Sequence, residues 1–137
     1  ENYTFQIGKG EVIQDGADVA VIANGLLVAE AIEAGRLLAE AGISARIINM
    51  PTIKPLDEEL VVKAAQECGR IITCEEHNIL GGLGEAVCSC LSEKCPVPVR
   101  RIGVMDQFGH SGPAAALLKQ FGLSAEHIVE VAKEFCK

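Results

Sequence analysis

Arg70-Ile-Ile-Thr-Cys-Glu-Glu-His-Asn-Ile-Leu-Gly-Gly-Leu-Gly84 decides the reading of this chain. Ile71, Ile72 and Cys74 form a short apolar run that reads as a buried strand. Two carboxylates, Glu75 and Glu76, and a histidine, His77, follow it directly. A glycine turn (Gly81, Gly82, Gly84) then opens a helix whose apolar positions are Leu83, Val87 and Leu91. Polar groups at the carboxyl end of a strand, beside a helix N-terminus, are where open α/β sheets place function.

The same alternation runs along the whole chain. Thr4 to Gln14 alternates weakly around Gly8-Lys9-Gly10 and predicts an extended or hairpin start that ends at Asp15-Gly16. Val19 to Ala23 is a continuous apolar run between turn signals, hence a buried strand, punctuated by Asn24-Gly25. Leu27 to Glu40 predicts an alanine-rich helix with Val28, Ala31, Ile32 and Leu38 on its apolar face, stopped by Gly42. Ala45 to Met50 predicts a strand. Thr52 to Leu56 is a loop pinned by Pro51 and Pro55, and Asp57 is placed to cap a helix running through Cys68. After the strand Ile71 to Cys74 come a helix from Gly84 to Lys94 and a last strand from Val97 to Val104. Pro113 marks a helix start, and Ala114 to Phe121 and Ala125 to Phe135 predict two closing helices, with Ser124 capping the second. Strand and helix in alternation predict a three-layer α/β/α domain on a mostly parallel sheet.

Composition agrees. A chain of 137 residues fits one domain, and 49% apolar residues with only 4% aromatics predict a core of Val, Ile, Leu and Ala. A net charge of -7 argues against nucleic acid or an anionic membrane as partner, and against this domain alone binding sugar phosphates. No apolar run approaches the roughly 18 residues of a membrane span and no signal peptide is visible, so a cytoplasmic protein is expected. The first residue is Glu1, so residues 1–137 are expected to be one domain cut from a longer chain. The six cysteines (Cys68, Cys74, Cys88, Cys90, Cys95 and Cys136) include no C-x-x-C pair and no histidine at ligand spacing, and read as reduced, largely buried thiols.

The candidate site residues admit plain readings beside the chemical ones. Gly81-Gly82-Leu83-Gly84 suggests a dinucleotide fingerprint, but the pattern begun at Gly82 meets Val87 at its last position, and no acidic residue about 20 positions on supports it. Glycine there lets the backbone turn sharply or another chain come close. Glu75 and Glu76 are a possible acid/base pair, yet successive strand residues point to opposite sides. One is expected to accept hydrogen bonds from loop amides and the other to face a partner domain. His77 can change charge near neutral pH. Asp106-Gln107-Phe108-Gly109-His110 is a polar loop after the last strand, at the same end of the sheet. Lys54 is expected to anchor its loop by a salt bridge, Arg100 or Arg101 to turn inward or to an interface, and His127 to lie on a helix surface.

Four stretches carry a resemblance: Met50-Pro-Thr-Ile-Lys-Pro-Leu-Asp57, Glu75-Glu76-His77 with Gly81-Gly82-Leu83-Gly84, Asp106-Gln-Phe-Gly-His-Ser-Gly112 and Phe121-Gly-Leu-Ser-Ala-Glu-His-Ile128. With them in order over nearly the whole chain, the sequence resembles the C-terminal domain of transketolase, and most of all the C-terminal half of the two-subunit bacterial and archaeal form. Thr52 to Asp57 is the most diagnostic piece. The Glu-Glu-His and Gly-Gly-x-Gly elements are shared with deoxyxylulose-phosphate synthase and with β subunits of 2-oxo-acid dehydrogenases, which stay open as alternatives, as does a free-standing regulatory or interaction module. The resemblance implies a five-stranded sheet whose N-terminal strand runs antiparallel to the rest. It implies transfer of a two-carbon ketol unit between sugar phosphates, with thiamine diphosphate and Mg²⁺ held by other domains. The partners it implies are a pyrimidine-binding domain of the same protein and a separate or fused diphosphate-binding domain, in a homodimer or hetero-tetramer. The Gly-Asp-Gly that starts the family's metal-diphosphate motif is absent; Gln14-Asp15-Gly16 fails at its first position. No catalytic, cofactor or metal residue is therefore assigned. Glu75, Glu76, His77, Gly81, Gly82, Gly84, Asp106, Gln107, Phe108 and His110 are candidates for an interface with another domain.

Overall fold

Val19–Ala23, strand β2, is fully buried along its length and forms the middle of the sheet. Its side chains sort by the two-residue period of a strand. Val19, Val21 and Ala23 enter one core, Ala20 and Ile22 the other. The computed structural model describes residues 7–78, 82–104 and 124–137, and the side chains of 76–78 and 104 lie outside that description.

Besides β2, the strands are β1 (Glu11–Gln14), β3 (Ala45–Asn49), β4 (Ile71–Asn78) and β5 (Val99–Val104), and the sheet order is β1-β3-β2-β4-β5. Strands β3, β2, β4 and β5 run parallel; β1 pairs antiparallel with β3, Glu11 opposite Asn49. The helices are α1 (Leu27–Glu40), α2 (Glu58–Cys68), α3 (Leu83–Lys94) and α4 (Ala125–Phe135). Helices α1 and α4 cover one face, where Leu27, Ala31, Ala34, Leu38, Ala125, Ile128 and Ala132 pack on Ile47, Ile72 and Cys74. Helices α2 and α3 cover the other, where Val61, Ala64, Leu83, Val87 and Leu91 pack on Ile22, Ile48 and Ile71. Three layers result, with the mixed five-stranded sheet expected from the resemblance.

Local chemistry sets the boundaries. Asp57 Oδ1 accepts from the Leu60 amide and Ser124 Oγ from the His127 amide, so both expected caps are in place. Gly69 closes α2 at φ +74°. Three expectations change. Ile32 is 40% exposed, and the α1 face in the core is Leu27, Ala31, Ala34 and Leu38. Strand β5 begins at Val99, after Pro98, which has no amide to donate; its carbonyl accepts from Ile71. Strand β4 does not stop at Cys74: its backbone stays extended through Glu75, Glu76 and His77 to Asn78, which pairs with Val104 after a register shift. Those residues thus belong to a strand end and not to a loop. Thr4 to Gln6, Gly81, Asp106, Gln107, Phe108, His110, Pro113 and the helix expected over Ala114 to Phe121 lie outside the described residues.

Candidate functional site

Connections from β2 and β4 leave in opposite directions, through α1 to β3 and through α3 to β5. The crevice where open α/β sheets bind ligands therefore lies between the C-terminal ends of β2 and β4. Turn Asn24–Leu26 borders it on one side. On the other stand Glu75 and the start of α3.

Glu75 is 1% exposed. Its Oε1 accepts from the Leu83 amide at 2.7 Å and its Oε2 from the Gly84 amide at 2.8 Å. These are free amides of the first turn of α3, and the carboxylate also sits at the positive end of the helix dipole. A buried carboxylate is tolerable only with such partners. The anion-receptive end of α3 is therefore already filled by a side chain of this chain. Gly84 is buried as well, and its glycine identity has a packing cause: a Cβ there would lie 2.7 Å from Arg101 Cδ and 2.9 Å from Thr73 Oγ1. Glycine at 84 lets α3 lie close on β4 and β5 of its own sheet. Glu75 and Gly84 thus make their contacts inside the domain. Gly82, half-buried, is the N-cap of α3. The backbones of Glu76 and His77 continue β4 to the C-terminal end of the sheet.

Other expected residues fall as follows. Arg100 stacks its guanidinium 4.5 Å from the centre of the Phe135 ring on the α4 side, and Arg101 leans toward α3 on the opposite face; both remain exposed. His127 lies 3.5 Å from Glu130 on a helix surface. Lys54 has no salt bridge among the described residues. Its loop is held by the Thr52 hydroxyl, which donates to the Pro55 carbonyl at 3.2 Å. All six cysteines are free thiols, and burial pushes those of Cys68, Cys74, Cys90 and Cys136 up from the ordinary thiol range.

Two arrangements were not read from the sequence. Arg46, 7% exposed, bridges Asp15 at 2.9 Å and Glu67 at 2.7 Å, joining the β1–β2 turn to α2. A charge inside the apolar run Ala45-Arg-Ile-Ile was its only signal. Thr52 and Asp57 also bind the chain leading into β1, through Gly8 and Gly10. Nothing local announces contacts across 44 and 47 residues.

The geometry is that of an α/β/α domain in which a carboxylate of the chain itself sits on the first two amides of α3. The profile of the family described as "Transketolase, C-terminal domain" matches residues 8–128, and the chain belongs to that family. It is 46% identical to the 6-deoxy-6-sulfo-D-fructose transketolase subunit SqwH of Clostridium sp. (strain MSTE9), over 98% of this chain and 42% of that protein. It is 42% identical to the 1-deoxy-D-xylulose-5-phosphate synthase of Heliobacterium modesticaldum, over 96% of this chain and 20% of that one. Among solved structures, a split-gene transketolase described as an inactive β4 tetramer superposes with a TM-score of 0.89 at 41% identity, over 97% of this chain and 43% of that one. The chain thus spans less than half the length of these relatives.

The thiamine diphosphate and Mg²⁺ implied by the resemblance do not fit the described residues. Glu75 occupies the α3 amides that would meet a phosphate, and the described residues hold no group of three or more His, Cys, Asp or Glu arranged for a metal ion. Nor is any described helix long and apolar enough to cross a membrane.

Proposed function

We propose that this chain is the C-terminal assembly domain of a cytoplasmic, thiamine-diphosphate-dependent transketolase, and that it carries no catalytic residue. The ketol transfer between sugar phosphates runs on other domains. This domain packs the C-terminal end of its sheet, through Glu76, His77, Gly81, Gly82 and the Asp106 to His110 loop, against the pyrimidine-binding domain, and so helps hold a dimer or hetero-tetramer together. Family membership over residues 8–128 supports the enzyme class. The observation that carries the non-catalytic role is the Glu75 carboxylate seated on the α3 amides at 2.7 and 2.8 Å. The most chemical-looking motif of the chain is thereby spent on its own helix start.

Two measurements test this. Calorimetry of the chain with thiamine diphosphate and Mg²⁺ should show no heat of binding, and a micromolar Kd would overturn the division of roles. The complete protein should transfer a ketol unit from a ketose phosphate to an aldose phosphate and lose that activity when this domain is removed. Activity that survives removal would refute the assembly role; ketol transfer absent from the intact protein would move it to one of the related synthase or dehydrogenase families.

A further inference from the structure

We infer that Thr52 and Asp57 form a clasp that fixes the segment leading into β1. The clasp aims the C-terminal end of the sheet at the portion of polypeptide that precedes this domain in its longer relatives. The inference rests on the assembly reading above and names the contact that would orient the docking.

Strand β1 is antiparallel, and Glu11 opposes Asn49 at the end of β3. The chain therefore reaches the sheet from the end where the parallel strands finish. Residues 7–10 lie across the loop that joins β3 to α2. The Gly8 amide donates to Thr52 Oγ1 at 3.0 Å, and the Gly10 amide donates to Asp57 Oδ2 at 2.9 Å. Asp57 uses its other oxygen to cap α2. One carboxylate thus ties the incoming chain to a helix start.

The contact is closer than side chains allow. A Cβ on Gly10 would stand 2.7 Å from Leu60 Cδ2 and 3.0 Å from Met50 Cε, and one on Gly8 would stand 3.1 Å from Pro55 Cγ at φ +81°. Positive φ and this proximity both require glycine. The pairing of β1 with β3 already covers residues 11–14. Bonds at Gly8 and Gly10 act ahead of that ladder, on the direction of the chain before it enters the sheet. Two apolar side chains lie exposed at the same end: Ile7, 71% exposed, next to the clasp, and Leu26, 53% exposed, at the start of α1. The occupant is the preceding portion of the same polypeptide. This chain covers only 42% of the transketolase subunit SqwH and 43% of the split-gene transketolase, and its family is a C-terminal domain, so in the relatives such a portion comes first.

The test uses the complete protein. Thr52→Val removes the Gly8 bond together with the exposed Thr52–Pro55 bond and leaves the α2 cap intact; Asp57→Asn weakens the Gly10 bond; Ser124→Ala removes the α4 cap far from the clasp and serves as the stability control. Hydrogen exchange at Gly8 and Gly10, the unfolding midpoint, subunit assembly by sedimentation and ketol transfer are measured for each. Thr52→Val should speed exchange at Gly8 at least tenfold with little change in midpoint, and should lower assembly or turnover severalfold. Ser124→Ala should lower the midpoint and leave assembly and turnover as they were. Unprotected Gly8 and Gly10 amides in the wild-type protein would overturn the clasp. So would assembly losses that merely track the midpoint across all three variants. A wild-type protein without ketol transfer, whose assembly still depends on Thr52, would uphold the clasp and sink the transketolase reading alone.

Discussion

Replacing Glu75 by alanine strips the only described acceptors from two buried amides. Leu83 is fully buried and Gly84 lies beneath Arg101, so water cannot readily take the place of the carboxylate. Each unsatisfied buried amide costs about 1–3 kcal/mol. Loss of the negative charge at the helix start adds roughly 0.3–2 kcal/mol. The Leu83 and Gly84 amides share one acceptor group, so their costs overlap, and we expect a loss of about 3–5 kcal/mol out of a domain stability of about 5–15 kcal/mol. For a domain of this size that is a fall in Tm on the order of 10–20 °C. Glu75→Gln fills the volume but has a single acceptor oxygen, so one amide stays unsatisfied and the loss is intermediate. The assay is urea denaturation of the chain at neutral pH, followed by circular dichroism, with the m-value as a check on two-state behaviour. A Glu75→Ala loss under about 1.5 kcal/mol, at unchanged m, would show that the carboxylate is not what holds the start of α3. The chemical reading of the motif would then need reopening.

Gly84→Ala should cost about 1–3 kcal/mol, because the added methyl meets Arg101 and Thr73 and α3 must move away from the sheet; the same denaturation series reads it, and an unchanged midpoint would refute the packing account. Cys74 supplies a pH test. Burial first, and then the neighbouring Glu75 carboxylate, hold its thiol well above the ordinary range. The folded state therefore keeps a proton that the unfolded state gives up. Stability is unaffected below the unfolded thiol pKa near about 8.5 and falls above it by up to about 1.4 kcal/mol per pH unit for this one group. The alkaline limb of the stability profile should flatten in Cys74→Ala, whatever its absolute stability, and parallel limbs in the two proteins would contradict the assignment.

How much of this was legible depends on the range of the interactions. Val19–Ala23 reads as a strand because all its residues are apolar, and it is apolar because helices cover both faces of a central parallel strand. Asp57 and Ser124 were readable as caps, since an N-cap is a local event within three residues. The direction of β1 was not readable from pattern, and only the family resemblance supplied it. The end of β4 is not legible, because polar residues at a strand's end look the same as the loop that follows it. Backbone pairing is indifferent to polarity when a buried carboxylate finds amides across the turn, as Glu75 does eight and nine residues on. Arg46 with Asp15 and Glu67, and Thr52 and Asp57 with Gly8 and Gly10, join residues far apart in sequence. Their meaning exists only after the chain has folded.

The Glu75 motif shows why a site-like sequence need not be a site. A carboxylate at a strand end, a glycine turn and a helix N-terminus are the parts of an anion-binding centre. The same electrostatics can bind a ligand or satisfy the fold, and the deciding fact is whether the amides are left free. Here the carboxylate is on the chain itself, eight residues before the first amide it meets, and reaches it at 2.7 Å. An external phosphate would have to displace a buried carboxylate from both amides it holds, at a cost of several kcal/mol. A domain wired in this way gains a rigid junction between β4 and α3 and gives up that junction as a binding site. Rigidity at the C-terminal end of the sheet is what a docking surface requires. The filled start of α3 supports the assembly role proposed above, in which the domain acts through the surfaces it presents to its neighbours.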